Sequence, residues 1–278
     1  MRFARHGWPG CERPIVSGAD GVWRDLSPVA RDVTAEVLTW TEEDLSLATL
    51  PEVRHIDRLG PPLERVGKIV CIGLNYRDHA RESGLATPDE PIVFLKAVDT
   101  VVGANDRVLI PPTSRKTDWE VELAVVMGWT ARYLASPEDA LACVAGYTIS
   151  HDVSERAFQL ERGGQWDKGK NCETFNPLGP WIVTANEISD PQNLGLRLWV
   201  NGELRQDGST ADMIFGVAYL VWYLSQFMVL HPGDVINTGT PAGVALGMPD
   251  QPYLKAGDVV ELEIDHLGRQ RQQLHSAS

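Results

Sequence analysis

The chain has 278 residues, of which 43% are hydrophobic and 23% are charged, and its 25 basic and 38 acidic side chains give a net charge of -13. This length and composition indicate a globular protein with one sizeable domain and a small additional one. The acidic excess argues against nucleic acid or an anionic membrane surface as a partner, because both select basic surfaces.

The chain lacks sequence marks of secretion and of membrane insertion. Its first residues, MRFARHGWPGCERP, carry charges but no apolar core, which argues against a secretory signal. The longest apolar stretch, 215–230, is interrupted by polar residues and is shorter than the roughly 20 residues of a membrane span. The four cysteines stand singly, which favours buried thiols over a disulfide framework or a zinc site. We therefore expect a cytoplasmic protein.

The first 65 residues predict a small N-terminal domain. Residues 12–27 form two brief strands around a glycine-containing turn. A partly helical segment at 33–50 and a connector punctuated by proline follow. We place the boundary near Val66, which divides the chain into a domain of residues 1–65 and a larger domain of residues 66–278.

The larger domain is predicted to be mainly β. Short β-branched runs bounded by turn residues predict strands at 68–73, 92–96, 120–127, 144–150 and 258–264. The dipeptide Asn201-Gly202 favours a tight hairpin. Because regular alternation of strands and helices is missing, we expect a β-rich sandwich or roll with a few helices, of the α+β class, rather than a doubly wound sheet.

Few helices are predicted in this domain, and two of them have clear sequence signals. Ser136 followed by Pro137 is typical of a helix start, and the helix would extend to about Val144. Residues 216–228 are apolar almost all round, which predicts a buried helix.

Acidic residues alternate in the segment DWEVE. In one continuous strand, Asp118, Glu120 and Glu122 would share a face, since side chains alternate with a period of two. The strand continues with apolar residues, which predicts burial, and buried carboxylates repel one another unless a cation or protons neutralise them. A divalent ion such as Mg²⁺ would serve, because it prefers oxygen ligands. The alternative is an edge strand with its acidic face in water.

One further aspartate and one histidine–glutamate pair are candidate catalytic or metal-binding residues. Asp152 lies at the end of an apolar strand and either faces a pocket or only caps a helix. His79 and Glu82 are three residues apart on a short predicted helix and hence share a face. Such a pair suits a general base that activates water, whereas a solvated helix surface is the alternative.

Glycine-rich loops complete the candidates. Residues 163–172 carry Lys168 and Lys170 between glycines, which is typical of anion-binding loops and equally of flexible surface. The small residues of 237–243 would let backbone amides approach a ligand. The patterns GxxxxGK[ST], GxGxxG, GxSxG and HExxH do not occur, which excludes the corresponding nucleotide-binding, serine-hydrolase and zinc-protease types.

From Lys68 onward, the chain resembles the fumarylacetoacetate hydrolase family. The matching segments occur in the order of the family: KIVCIGLNYRDHARESG, PIVFLK, VVGANDRV, TDWEVELAVVMG, VAGYTISHDVSERAFQ, QWDKGKNCETFNPLGPW, PGDVINTGTPAGV and LKAGDVVELEI. The pattern is most similar to the short bacterial members that act on acylpyruvates or on diketo sugar acids such as 2,4-diketo-3-deoxy-L-rhamnonate. The resemblance implies a mixed β-sandwich roll with a small N-terminal domain, usually assembled as a homodimer.

The resemblance also implies roles for individual residues. A divalent ion, Mg²⁺ or Mn²⁺ (with Ca²⁺ as a substitute in crystals), would be held by Glu120, Glu122 and Asp152. The catalytic residues would be His79, Glu82 and Lys170, and the substrate contacts Arg156, Gln159, Gly239 and Thr240. Asp118 has no clear ligand position in this pattern.

The activity implied is metal-dependent hydrolysis of a carbon–carbon bond in a 2,4-diketo acid, through a metal-stabilised enolate. The substrate would be a small anionic oxo acid. Alternatives are an oxaloacetate-type decarboxylase, a 2-hydroxyhepta-2,4-diene-1,7-dioate isomerase and a ureidoglycolate lyase. A non-catalytic oxo-acid-binding protein is a further alternative, which the presence of every expected ligand and of Lys170 disfavours.

Overall fold

The computed structural model describes residues 1–82, 84 and 86–277, and it is mainly β with few helices, as the sequence predicts. Ser83, Leu85 and Ser278, which fall in the predicted larger domain, lie outside the described residues. In chain order the strands are β1 (Arg2–His6), β2 (Arg13–Ser17), β3 (Trp23–Asp25), β4 (Ile69–Gly73), β5 (Ile92–Lys96), β6 (Val101–Gly103), β7 (Val108–Ile110), β8 (Thr117–Asp118), β9 (Val121–Met127), β10 (Val144–His151), β11 (Ser154–Glu155), β12 (Asn176–Thr184), β13 (Gly195–Val200), β14 (Glu203–Ser209), β15 (Val235–Asn237), β16 (Val259–Ile264) and β17 (Gly268–Ser276).

The helices are short. The α-helices are α1 (Arg77–Glu82), α2 (Arg156–Leu160), α3 (Asp167–Lys170) and α4 (Val217–Ser225). Single 3₁₀ turns occupy Val37–Thr39, Leu47–Thr49, Val98–Thr100, Pro137–Asp139, Leu141–Cys143, Ala185–Glu187, Thr210–Asp212 and Ala245–Gly247. No helix in the described part of the chain reaches the length and hydropathy that crossing a membrane requires.

Two large sheets form the body of the molecule. The 10-stranded sheet has the order β3-β2-β1-β12-β10-β9-β15-β4-β5, with β6 paired to β12, and the 5-stranded sheet has the order β14-β13-β16-β17-β7. Strands β9 and β10 are buried along their whole length, which explains why their sequences are apolar on both faces. They therefore lie in the centre of the larger sheet, and the residues at their ends are also shielded from water.

The N-terminal strands add to the edge of the same sheet. Strand β1 pairs antiparallel with β12, with Arg2 opposite Val183. The apolar cluster of the N-terminal segment also includes Ile69 and Ala124 from the rest of the chain. The predicted hairpin of β2 and β3 is confirmed. The domain boundary near Val66 stays a prediction, because the two segments share a sheet and an apolar cluster.

The local predictions had mixed outcomes. The Asn201-Gly202 hairpin is confirmed, and both residues have the positive φ values, 52° and 82°, that a type I′ turn requires. The helix predicted from Ser136 is wrong, because the segment forms two separate 3₁₀ turns. The predicted helix at 216–228 is shorter than expected. Only one of its faces is fully buried, the face formed by Val217, Leu220, Val221, Leu224 and Ser225.

The acidic segment is not one continuous strand. Strand β8 ends at Asp118 and pairs with β11, whereas β9 begins at Val121 and belongs to the large sheet. The chain changes partners between them, so the expected common face of Asp118 and the two glutamates is interrupted. Asp118 is thereby separated from the glutamates that follow it.

Candidate active site

Three carboxylates meet where β9 begins and β10 ends. The antiparallel pairing of these strands places Val121 opposite His151, so the flanking Glu120 and Asp152 become neighbours. Glu122 lies one residue into β9. One carboxylate oxygen from each of Glu120, Glu122 and Asp152 lies within 4.8 Å of the other two, and all three residues are buried. The structure thus brings together the three acidic residues that the family resemblance implies as metal ligands.

Two cationic side chains contact this group. The Nζ of Lys170 lies 2.8 Å from Oε2 of Glu120 and 2.7 Å from Oδ2 of Asp152. Burial alone would lower the pKa of Lys170, but Asp152 and Glu120 raise it above its ordinary value. Arg156 donates from Nη2 to Oε1 of Glu120 over 2.6 Å. Burial opposes ionisation of Glu120, yet Lys170 and Arg156 hold its pKa well below the usual range, so Glu120 is a carboxylate.

Glu122 has different surroundings. Its Oε2 accepts a hydrogen bond of 2.9 Å from the N–H of Gly239, and among the described residues no ion pair involves it. Burial and the neighbouring Asp152 and Glu120 raise the pKa of Glu122 well above its ordinary value. A proton or an added cation is therefore required at this position. A divalent ion bound by oxygen ligands fits the donor set.

Lys96 is a member of this site that the sequence reasoning missed. It ends β5, is only 3% exposed, and donates from Nζ to Oδ1 of Asp152 over 2.6 Å. A lysine at the end of an apolar strand gives by itself no sign of burial, since lysines are almost never fully buried unless paired. Its position in the matched segment PIVFLK was the only available signal. With Lys96 and Lys170, both oxygens of Asp152 are paired with a cation.

His79 and Glu82 lie together on α1. The Nδ1 of His79 is 3.4 Å from Oε2 of Glu82, a long contact for a hydrogen bond. Both carboxylate oxygens of Glu82 accept from the N–H of Gly243 at 3.1 Å. The imidazole is 8% exposed and borders the same cavity as the carboxylates. The helix therefore brings the predicted pair to the site.

A cavity of about 380 Å³ connects these groups. Its polar lining consists of His79, Glu82, Glu120, Glu122, Arg156, Gln159, Lys170 and Thr240. Its larger apolar lining residues are Ile72, Leu74, Phe94, Leu160, Trp166 and Leu246. The cavity thus has one charged end and one apolar wall.

The remaining predicted contacts take different places. Arg156 donates from Nη1 to Oε1 of Gln159 over 3.0 Å, and both side chains line the cavity. Gly239 contributes through its N–H to Glu122, while the hydroxyl of Thr240 donates to the carbonyl of Val121 over 2.9 Å. These two residues fix the start of strand β9 and the carboxylate of Glu122.

Glycine is required at the apolar wall. The ring of Trp166 lies over Gly73, where a Cβ atom would come within 2.4 Å of it. Phe94 packs edge-on against Trp166, with ring centroids 5.5 Å apart. Lys168, by contrast, lies outside the site and donates to the carbonyl of Arg162 over 2.8 Å. Of the two lysines in this loop, only Lys170 reaches the cavity.

The sequence profile described as "Fumarylacetoacetate (FAA) hydrolase C-terminal" matches residues 68–275. The chain belongs to the fumarylacetoacetate hydrolase family. It is 50% identical over 275 residues to a 2,4-didehydro-3-deoxy-L-rhamnonate hydrolase of Sphingomonas sp., and the match covers 99% of this chain and 96% of that protein.

Solved structures of family members have the same fold. Fumarylacetoacetate hydrolase from Exiguobacterium antarcticum is 37% identical, with a TM-score of 0.90 and all of both chains covered. The 2-hydroxyhepta-2,4-diene-1,7-dioate isomerase from Mycobacterium marinum is 31% identical, with a TM-score of 0.76 over 100% of this chain and 99% of that one. The family fold therefore carries proteins named as hydrolases and as isomerases.

Proposed function

We propose that the protein is a metal-dependent hydrolase that cleaves a carbon–carbon bond in a 2,4-diketo acid. The observation that carries this proposal is the buried group of Glu120, Glu122 and Asp152, of which the two glutamates line a cavity together with His79 and Glu82. A cation site beside a general base is the combination that hydrolysis of an oxo acid requires. The relative that is 50% identical and named for a diketo deoxy sugar acid supports the same substrate class.

The acidic triad is the proposed metal site. Mg²⁺ or Mn²⁺ fits three carboxylate ligands, because these ions favour oxygen donors. When bound there, such an ion supplies a Lewis acid that polarises an oxo group of the substrate. The choice between the two ions stays a prediction, as do the homodimer and the cytoplasmic setting.

The cationic side chains bind and orient the anionic substrate. Arg156 and Lys170 line the cavity beside the triad, and they oppose the negative charge that the protein carries overall. Lys170 has three N–H donors, of which two are used by Glu120 and Asp152. The third is available to a developing enolate oxygen, where a fixed positive charge lowers the barrier.

His79 is the proposed general base. Glu82 orients its imidazole, and Gly243 in turn fixes Glu82. His79 takes a proton from water, and the resulting hydroxide attacks the distal oxo carbon. The bond between that carbon and its methylene neighbour then breaks, so that the water oxygen remains in a carboxylic acid. The other fragment leaves as the enolate of pyruvate and is reprotonated on carbon.

The apolar wall constrains the end of the substrate remote from its carboxylate. Trp166 and Phe94 lie next to the charged end of the cavity, and Leu160 and Leu246 extend the wall. A volume of about 380 Å³ suits a small acid rather than a polymer. We propose a compact tail with some apolar surface, as an acylpyruvate or a deoxy sugar acid carries.

The isomerase relative favours a second candidate within the same chemistry. Isomerisation of a dienol diacid needs an enolate but no attack by water, so it would leave the His79–Glu82 pair without its hydrolytic role. The presence of that pair at the cavity supports hydrolysis as the first candidate.

A substrate panel tests the proposed function. The purified protein with Mg²⁺ would be given 2,4-didehydro-3-deoxy-L-rhamnonate, an acylpyruvate, oxaloacetate and a dienol diacid, and the products would be identified by mass spectrometry. We expect pyruvate and a carboxylic acid in equal amounts from a diketo acid. Faster decarboxylation of oxaloacetate, faster isomerisation of the diacid, or no cleavage of either diketo acid would refute the proposal.

A further inference from the structure

Asp118 is fully buried beside the site but contributes no oxygen to the acidic triad. Its carboxylate instead accepts four hydrogen bonds. The donors are the backbone N–H groups of Trp119 at 2.8 Å, Ala245 at 2.8 Å and Leu246 at 3.0 Å, and Nε of Arg156 at 2.8 Å. The carboxylate of Asp118 thus connects Arg156 with the loop that contains Ala245 and Leu246. Arg156 and this loop border two different parts of the cavity.

The first connection leads to the acidic triad. The guanidinium of Arg156 donates from Nε to Asp118, from Nη2 to Glu120 over 2.6 Å and from Nη1 to Gln159 over 3.0 Å. Because a guanidinium is planar and rigid, fixing Nε also fixes the directions of the other two donors. Asp118 thereby sets the position of Oε1 of Glu120, although it does not touch Glu120.

The second connection leads to the proposed general base. The loop 243–247 contacts Glu82, because the N–H of Gly243 donates to both of its oxygens at 3.1 Å. A Cβ atom on Gly247 would lie 2.5 Å from Cδ of Glu82, so the loop backbone is packed directly against this carboxylate. Asp118 accepts from the N–H groups of Ala245 and Leu246 in this loop, and the indole N–H of Trp119 donates to the carbonyl of Gly243 over 3.0 Å.

We propose that Asp118 is a positioning residue that holds the two halves of the active site in register. It acts on Glu120 through Arg156, and on the His79–Glu82 pair through the loop 243–247. The expected effect of Asp118 on metal binding and catalysis rests on the proposed function. The hydrogen-bonded connections from Asp118 to Glu120 and to Glu82 are properties of the metal-free protein. In the sequence, Asp118 belongs to the same alternating acidic segment as the glutamates. Because the chain changes strand partners between β8 and β9, Asp118 bonds Arg156 and the loop 243–247 instead of joining the triad.

The variant Asp118→Asn tests the proposal with little change in shape. An amide has one oxygen, so whichever way it turns, its NH₂ group faces two of the four donors. The matched control is Asp234→Asn. Asp234 is also a buried carboxylate, 1% exposed, that accepts backbone N–H bonds from Lys68 at 3.0 Å and His231 at 2.6 Å. It precedes β15, at the end of the strand remote from Gly239.

The first measurement is hydrogen–deuterium exchange in the metal-free protein. We expect Asp118→Asn to speed exchange by about tenfold in both the loop 243–247 and the helix segment 77–82, since losing a fixed hydrogen bond raises local opening. Asp234→Asn should leave both segments as in the wild type. Unchanged exchange at 77–82, or equal acceleration by Asp234→Asn, would overturn the connection to Glu82.

The second measurement is calorimetric titration with Mn²⁺. We expect Asp118→Asn to weaken Mn²⁺ binding by about 10–100-fold, the usual effect of removing a residue that orients a ligand, with no change for Asp234→Asn. Unchanged affinity in Asp118→Asn would overturn the connection to Glu120. If wild-type protein bound no Mn²⁺, the proposed function would fail, and the exchange experiment would still decide whether Asp118 joins the two halves.

Discussion

Two charge networks in this molecule, one in the N-terminal segment and one at the proposed active site, differ in how completely their acidic side chains are paired. In the N-terminal network, Arg5 pairs with Asp32 at 2.6 Å, while Arg58 pairs with Glu12 at 2.9 Å and with Asp106 at 2.6 Å. Every carboxylate there faces an arginine. In the active-site network, acids and cations are again paired, but Glu122 has no ion pair among the described residues, and the nearby Asp152 and Glu120 raise its pKa.

The difference between the two networks agrees with the proposed function of the second. In a fully paired network, removing one partner leaves the other charge unpaired and lowers stability. A network with an unpaired buried carboxylate is incomplete unless a proton or a metal is added, and such perturbed groups cluster at functional sites. Glu122 is therefore the residue that distinguishes the two networks. Variants that change one network at a time test this distinction.

The largest effect is expected from Glu122→Gln. The amide removes a metal ligand that has no ion pair among the described residues, and it keeps the ion pairs of Glu120 and Asp152. We expect loss of Mg²⁺ binding and a fall in kcat of about 10³-fold or more, since a metal contributes several kcal/mol to such reactions. Steady-state kinetics and calorimetric titration measure both effects.

The matched control for that variant is Glu12→Gln in the N-terminal network. Its side chain is 6% exposed and pairs with Arg58, so its loss should lower stability and leave kcat and Mg²⁺ affinity unchanged. Equal losses of activity in both variants would contradict the distinction between the two networks.

A somewhat smaller effect is expected from His79→Ala. Hydrolysis should fall by about 10²–10⁴-fold, the usual contribution of a general base, while Mg²⁺ affinity stays near the wild-type value because the triad is intact. Arg81→Ala, an exposed position on the same helix, is the control and should keep full activity. Turnover retained in His79→Ala would remove this residue from the role of base.

The smallest effect is expected from Asp32→Asn. Asp32 is 9% exposed and accepts from Nε of Arg5 at 2.6 Å, from its Nη2 at 3.0 Å and from the N–H of Val33 at 2.8 Å. We expect a decrease in the free energy of unfolding of about 1–3 kcal/mol, as for other buried charged hydrogen bonds. Urea denaturation measures the decrease, and a simultaneous loss of Mg²⁺ affinity would show that the two networks are not independent.

The sequence predicted most of the architecture because periodicity and turn chemistry are local. The buried strands β9 and β10 and the Asn201-Gly202 hairpin follow directly from their residues. The segment after Ser136 fails as a helix, because its chain folds into two turns that lead into β10. No local rule indicates that a helix start signal will be followed by so short a helix.

Spacing alone indicated candidate groups only where a residue's neighbours in sequence are its neighbours in space, and the family resemblance joined them to Asp152 and Lys170. Glu120, Glu122 and the His79–Glu82 pair meet that condition. Lys96 does not, because it reaches Asp152 across 56 residues of sequence. The prediction for Asp118 was wrong for the opposite reason. The alternation of acidic residues predicted a face shared with Glu120 and Glu122, but the break between β8 and β9 separates Asp118 from that face.

Burial and the neighbouring carboxylates favour the protonated form of Glu122 in the metal-free protein, and we expect a divalent ion to displace that proton. The raised pKa of Glu122 means that the folded metal-free state binds more protons than the unfolded state, so stability falls as pH rises toward that pKa. Metal binding needs the carboxylate, so binding should release one proton and tighten with rising pH by up to about tenfold per pH unit below that pKa.

Calorimetric titration of Mg²⁺ in buffers of different ionisation enthalpy tests this most directly. We expect one ion per chain, with about one proton released at pH values below the raised pKa of Glu122. No binding, or binding that survives in Glu122→Gln with the same proton release, would contradict the account.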